Sequence, residues 1–206
     1  MTFVGGRIPS TRGALIRLRE TLDFIKRGKN LLEAKRDQLA AEVNRILGEL
    51  KRRKELESRL CSSYRKVLKA IAIHGYSEVY SMASSVKNIE VEVKPYSIIG
   101  VVVPKIEVSG KPSVNSISDA DICDVAKELA SILDELLEVA ELEACLERVA
   151  VELMSTDRKL NALEKIVIPS YEKMIRYIED RLFEETLEEF VKAKYIRDVI
   201  SRRRGG

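Results

Sequence analysis

The sequence predicts a mainly α-helical fold, a long antiparallel two-helix coiled coil formed by the N- and C-terminal helices, with a small β-hairpin segment at the far end. Three observations carry that expectation. From Asp119 to about Ile200, apolar residues recur at alternating spacings of three and four, through Ile122, Val125, Leu129, Ile132, Leu136, Leu146, Leu153, Leu160, Val167 and Ile178. This is the narrow seam of a coiled coil rather than the broad stripe of a globular-core helix. Residues 12–75 carry the same kind of seam, through Leu15, Leu18, Leu22, Ile25, Leu32, Leu39, Val43, Ile46, Leu50, Leu60, Val67 and Ile71. Between the two, the apolar period shortens to two. At about 1.5 Å per residue, a helix of roughly eighty residues spans on the order of 120 Å. A compact fold of ~200 residues has a radius of gyration of only about 16 Å, so the expected molecule is elongated.

Composition agrees. Of 206 residues 33% are charged and only 5% aromatic, with no Trp, as suits long helices with much surface for their volume. No apolar run approaches the roughly 20 residues that span a bilayer. The N-terminus lacks the apolar stretch of a signal peptide, so the expectation is an intracellular chain without direct membrane insertion. Cys61, Cys123 and Cys145 are widely spaced in helical pattern, with no Cys-x-x-Cys pair and His74 as the single histidine. They read as small helix residues in a reducing compartment, and a zinc site within the chain is not expected.

The net charge of +3 conceals a division. Residues 1–75 hold 18 Lys and Arg against 8 Asp and Glu, whereas residues 119–200 hold 11 against 21. A basic face commonly marks a nucleic-acid or anionic membrane partner. Here the acidic second helix offers a partner in the same chain, and no nucleic acid is expected.

In chain order, residues 1–11 read as an irregular leader with Pro9, in which Ser10 and Thr11 are candidate helix caps. Residues 12–75 form the first coiled-coil helix, with Gly28 and Gly48 inside the pattern and polar seam positions at Lys29, Arg36, Arg53 and Glu57. If the chain ends lie together, Lys29 falls at the level of Glu179 to Glu184 and Arg36 near Glu172, which could fix register; the alternative is that these long side chains snorkel to water beside the seam. Residues 76–118 form the hairpin segment. Ile89 to Val93 alternates as a half-buried strand, Ile98 to Val103 is a β-branched run bounded by Pro95 and Pro104, and Lys105 to Val108 alternates again. A lone hairpin is marginal in water, so it should pack against the helix ends or another chain. Residues 119–200 form the second helix, opened by Asp119 and Asp121, whose carboxylates suit the free amides of a first turn. Pro169 interrupts its hydrogen bonding and predicts a bend. The seam weakens at Arg181, Glu185 and Glu188, so the terminal half looks suited to face partners. Residues 201–206 read as a flexible basic tail.

Catalytic patterns are missing. There is neither a G-x-x-x-x-G-K-[ST] nor a G-x-G-x-x-G phosphate loop. His74 ends the first helix, where a capping role is the simpler reading. The run Lys51-Arg52-Arg53-Lys54 reads as a solvated face. No catalytic residue, metal ligand or cofactor is expected.

Three stretches together resemble the D subunit of the archaeal A-type and vacuolar V-type rotary ATPases. They are Pro9-Ser10-Thr11-Arg12 with Gly28 to Leu39; Ile98-Ile99-Gly100-Val101-Val102-Val103-Pro104; and Asn161-Ala162-Leu163-Glu164 through Pro169 to Ile175-Arg176-Tyr177-Ile178. The resemblance covers nearly the whole chain in order. It implies a non-catalytic central rotor shaft on the cytoplasmic side of the membrane. The expected partners are the catalytic and non-catalytic subunits of a hexamer, the small F subunit of the stalk, and a funnel-shaped subunit that leads to the membrane ring. Carried onto this chain, it marks Thr11, Arg12, Lys29, Lys35, Arg36, Asp37, Ile98, Gly100, Val101, Pro104, Asn161, Leu163, Glu164, Pro169 and Arg176 as shaft-motif or partner-contact residues, with the seam residue Arg181 beside them. A prefoldin-like chaperone subunit and a coiled-coil RNA-binding module are the alternatives. The charged ending disfavours the first and the acidic second helix the other.

Overall fold

A computed structural model describes residues 11–110, 112–114 and 117–204. The leader with Pro9 and Ser10, and the terminal Gly205-Gly206, lie outside them. In chain order the elements are α1 (Arg12–Leu50), α2 (Arg53–His74), α3 (Tyr76–Ser84), β1 (Glu90–Ile98), β2 (Val101–Gly110), α4 (Ala120–Ala162), a π-helical turn (Leu163–Val167) and α5 (Ile168–Arg204). The fold is mostly helical, two long helical stretches separated by an antiparallel hairpin, as the periodicities require. It divides into two compact units, Lys35–Ser155 on one hand and Met1–Ala34 with Thr156–Gly206 on the other.

Several boundaries differ from expectation. The first stretch is interrupted at Lys51–Arg52, inside the cationic run. Lys51 and Lys54 are like charges three apart on a helix face, and Gly48 weakens the preceding turn. Arg52 nonetheless keeps near-helical angles, φ −66° and ψ −18°. Helix α3 lies where only strands and loops are expected. Gly75, at φ +86°, ends α2 and its N–H donates to the Ile71 carbonyl at 2.9 Å. The nine residues that follow are too few for a clear period, yet Val79 and Ala83 fall on one face and line a groove with Leu60, Val67, Ile122 and Leu129. Ser201 to Arg204 continue α5 rather than forming a loose tail, and the Ser201 hydroxyl donates to the Arg197 carbonyl at 2.8 Å.

In the unit Lys35–Ser155, Leu39 and Ile46 of α1, Val103 of β2, and Cys145 and Val149 of α4 form the buried core, with Val43, Leu50, Val101, Leu142, Leu146 and Leu153 packed around it. The hairpin therefore runs back along the helices as a third element instead of resting on their ends. A two-helix seam leaves one side open to water, and the β-branched residues of β2 cover it.

The hairpin pairs Ile98 with Val101 across the two-residue turn Ile99-Gly100. Both turn residues have positive φ, +51° and +77°, the requirement of a type I′ turn. Gly100 adopts that region freely, while Ile99 is a β-branched residue there. Its half-buried side chain packs against the core and offsets the strain. Pro95 and Pro104 do not bound the strands; they face each other inside them. A hydrogen-bonded pair would need both missing N–H groups, so the two prolines occupy a non-bonded pair and turn their ring nitrogens outward. Two residues on, the Ile106 N–H also points outward and is taken by the Glu141 carboxylate at 2.7 Å. The outer edge of β2 is thus closed by a proline and by α4.

In the other unit, Leu160, Ile175 and Ile178 are buried, with Leu15, Leu18, Leu22, Ile25 and Leu32 of α1 partly so. Thr11 caps α1, its hydroxyl accepting the Ala14 N–H at 3.2 Å. Before Pro169 the helix widens. The Ile168 N–H donates to the Leu163 carbonyl, five residues back, so the turn that carries the proline ring avoids the clash with the carbonyl four residues earlier.

Leu39 is fully buried, so Leu39→Ala is expected to lower unfolding free energy by about 3 kcal/mol in urea titrations. Gly100→Ala should cost about 1 kcal/mol through its left-handed backbone. A side-chain carbon at Gly48 would meet nothing within 4 Å, so Gly48→Ala should stabilise by up to about 1 kcal/mol.

Candidate functional site

The charge division between the first and last helical stretches resolves into cross-helix ion pairs. In the unit Lys35–Ser155, Lys35 meets Glu152 at 2.6 Å, Arg53 meets Glu143 at 2.5 Å, Arg59 meets Glu135 at 2.7 Å and Lys66 meets Glu128 at 2.6 Å. The buried Ser63 hydroxyl donates to the same Glu128 carboxylate at 2.8 Å. Lys66 and then Ser63 hold the Glu128 carboxyl below the ordinary carboxylate range. In the other unit, Arg19 meets Glu179 at 2.6 Å, Lys26 meets Glu172 at 3.0 Å and Lys29 meets Glu164 at 2.7 Å. Rising numbers on one helix pair with falling numbers on the other, so both units are antiparallel.

This register corrects the one expected from chain ends lying together. Lys29 lies against Glu164, not Glu179 to Glu184, and Glu172 takes Lys26 while Arg36 holds Asp37 at 2.8 Å. The acidic helix continues beyond the level of Arg12. Lys29 also touches Glu33 at 3.2 Å, and the two carboxylates, Glu164 first, push its ammonium above the ordinary value.

The remaining motif residues are dispersed along the chain. Thr11 and Arg12 begin α1 and are exposed. Lys35 pairs with Glu152, which borders a hollow also lined by Gly100 and Val101 of the hairpin. Ile98 and Val101 pack on the core, and Pro104 lies beside them in β2. The Asn161 amide donates to the Asp157 carbonyl and carboxylate, each at 3.0 Å. Leu163 and Glu164 lie in the π turn and Pro169 follows it. Arg176 is exposed, and Arg181 reaches Glu184 at 3.5 Å. Glu141, whose carboxylate accepts the Ile106 N–H of β2, was not marked by any motif. A carboxylate on an acidic helix carries no sequence sign that it will meet a strand.

Among the described residues, two of the open surfaces lie on α5 and on α2 with α3. Beyond Leu182 every side chain described through Arg203 is exposed except that of Val199, and Phe183, Leu187 and Phe190 fall on one face of α5. On α2 and α3 the exposed Tyr64, Leu68, Tyr76 and Tyr80 recur at helical spacing, with the rings of Tyr76 and Tyr80 stacked 5.8 Å apart. Cys145 is buried, and burial pushes its thiol up, away from reactivity. Among the described residues no helix is long and apolar enough to cross a membrane.

Comparison with known proteins places these features in a family. Residues 14–198 match the family of the ATP synthase D subunit. The chain is 33% identical to the D subunit of the A-type ATP synthase of Thermococcus kodakarensis, over 96% of this chain and 97% of the relative. It is 34% identical to that of Methanopyrus kandleri, over 94% and 87%, and 34% identical to that of Pyrococcus furiosus, over 96% of each.

Two outcomes are expected of the ion pairs. Lys29→Glu should lower the melting temperature and Glu164→Lys should partly restore it in the double variant; additive losses would show that the pair does not couple. Glu128 and Glu107 have carboxyls held below the ordinary 4.5, chiefly by Lys66 and Lys94. Their stabilisation is present above that value and lost as pH falls below it through the lowered value of the folded state. Lys29 and Lys94, held above the ordinary 10.5 by Glu164 and Glu107, stabilise below that value and fail as pH rises past it. Melting temperature followed by circular dichroism should therefore decline at both extremes, and Glu128→Gln should flatten the acid limb.

Proposed function

Because the chain belongs to the ATP synthase D-subunit family, we propose that it is the central-stalk subunit of an A/V-type ATP synthase, a non-catalytic rotor shaft. It transmits rotation between the catalytic hexamer and the ion-translocating ring in the membrane. Its partners are the catalytic and non-catalytic subunits of the hexamer, the small F subunit of the stalk, and the funnel-shaped subunit that leads to the ring, and it works on the cytoplasmic side as a peripheral member of the complex. Nucleotide binds on the hexamer, and the shaft contributes shape and stiffness.

The observation that carries this reading is a contrast along α5. Up to Glu179 the helix is held by ion pairs and buried isoleucines, whereas beyond Leu182 it is exposed, with charges around the face of Phe183, Leu187 and Phe190. A shaft needs a body whose two helices cannot slip and an end that contacts a surrounding bearing. Unlike charge on the two helices makes the cross-section asymmetric, so that each catalytic interface meets a different face.

The test is reconstitution of the full chain with catalytic and non-catalytic subunits from the same source. One copy per hexamer, with sustained ATP turnover that depends on it, is expected. Phe183→Asp with Phe190→Asp should weaken assembly at least tenfold while helix content stays unchanged. Failure to assemble, with binding of RNA or protection of an unfolded client instead, would overturn the reading.

A further inference from the structure

His74 stands in a setting that its place in the sequence does not suggest. It is the last residue of α2, while Asp119 and Asp121 lie at the start of α4, on the far side of the hairpin. The fold brings the three together, with one potential ligand atom from each within 4.8 Å of the others. His74 Nδ1 is 3.6 Å from Asp119 Oδ2, too far for a hydrogen bond. Donors around a tetrahedral ion with bonds of about 2.0 Å are separated by about 3.3 Å; the His74–Asp119 pair at 3.6 Å is near that spacing, and the Asp121 oxygen lies within 4.8 Å of both. The other Asp119 oxygen accepts the N–H groups of Asp121 and Ile122 at 2.9 and 3.2 Å. That fixes the carboxylate and leaves Oδ2 turned to the imidazole, the kind of support that ligating carboxylates receive. Among the described residues, neither the His74 ring nor the Asp121 carboxylate makes a hydrogen bond of its own.

We propose that His74, Asp119 and Asp121 form a binding site for one divalent cation of the zinc class, with water completing its coordination. One imidazole nitrogen and two carboxylate oxygens suit Zn2+ or Co2+; Ca2+ and Mg2+ prefer six or more oxygens. The two carboxylates neutralise the ion's charge. An ion here ties the end of α2 to the start of α4, and so clamps both ends of the segment that holds α3 and the hairpin. The site is separate from the surfaces assigned to the rotor and does not depend on that reading.

The competing account is a simple ion pair between His74 and Asp119. To separate the two, the full chain carrying Cys61→Ser, which removes an exposed thiol, is stripped with chelator and titrated with Zn2+ by calorimetry. Co2+ absorption and thermal melting follow with and without metal. Expected are one saturable equivalent, ligand-field bands with Co2+, and a melting temperature that rises with Zn2+. His74→Gln and Asp121→Asn should each weaken binding 10- to 100-fold and abolish the metal-dependent rise. Asp119 is left intact because it caps α4. No saturable binding, binding unchanged in both variants, or destabilisation by His74→Gln without metal dependence would overturn the site.

Discussion

A seam of leucine and isoleucine buries nearly the same apolar area at several registers, and the constraint that removes this freedom is the complementary charge beside it. Each cross-helix pair is partly exposed and worth little by itself. Their value lies in exclusion. A slip of the acidic stretch by one heptad forms fewer pairs in either direction: one way it leaves Leu142, Ala150, Lys159 and Tyr171 opposite Arg59, Arg53, Lys35 and Lys29, and the other way Leu136 and Cys145 opposite Arg53 and Lys35. Charge thus selects a register that hydrophobic burial alone leaves degenerate.

The hairpin depends on that register. Val103 reaches the core only where Leu39 and Ile46 of α1 stand opposite Cys145 and Val149 of α4, and the Ile106 N–H is satisfied only if Glu141 lies beside β2. The turn in turn holds Ile99 in a left-handed conformation, which persists because its side chain has a core to enter. The opposed prolines remove two outward donors that would otherwise seek a partner, one on each strand.

The same logic explains where the surface opens. The cross-helix ion pairs end at Arg19 and Glu179 among the described residues, and the last part of α5 then presents apolar and charged side chains, with ion pairs such as Arg181–Glu184 and Lys192–Glu188 lying within α5 itself. A surface so left suits contacts made in a multi-subunit assembly, and ATP synthase subunits belong to one. The wide turn before Pro169 keeps the acidic stretch helical from α4 into α5 despite a residue that cannot donate.

Periodicity, charge asymmetry and the change of period at the hairpin were legible because each is a local property of consecutive residues. They determined two long helices, their antiparallel pairing, a hairpin between them, and the caps at Thr11 and Asp119. Short α3 and the break at Lys51–Arg52 were not legible, since nine residues or one weakened turn give too little pattern. Prolines 95 and 104 misled, because a proline is a boundary signal unless a second one stands opposite it. Only the tertiary structure decided that Lys29 meets Glu164, that Glu141 serves the hairpin, and that His74 lies beside Asp119 and Asp121. Each of these joins residues far apart in the chain. Which of many similar glutamates faces a given lysine depends on how far two helices have slid, a quantity no single segment encodes.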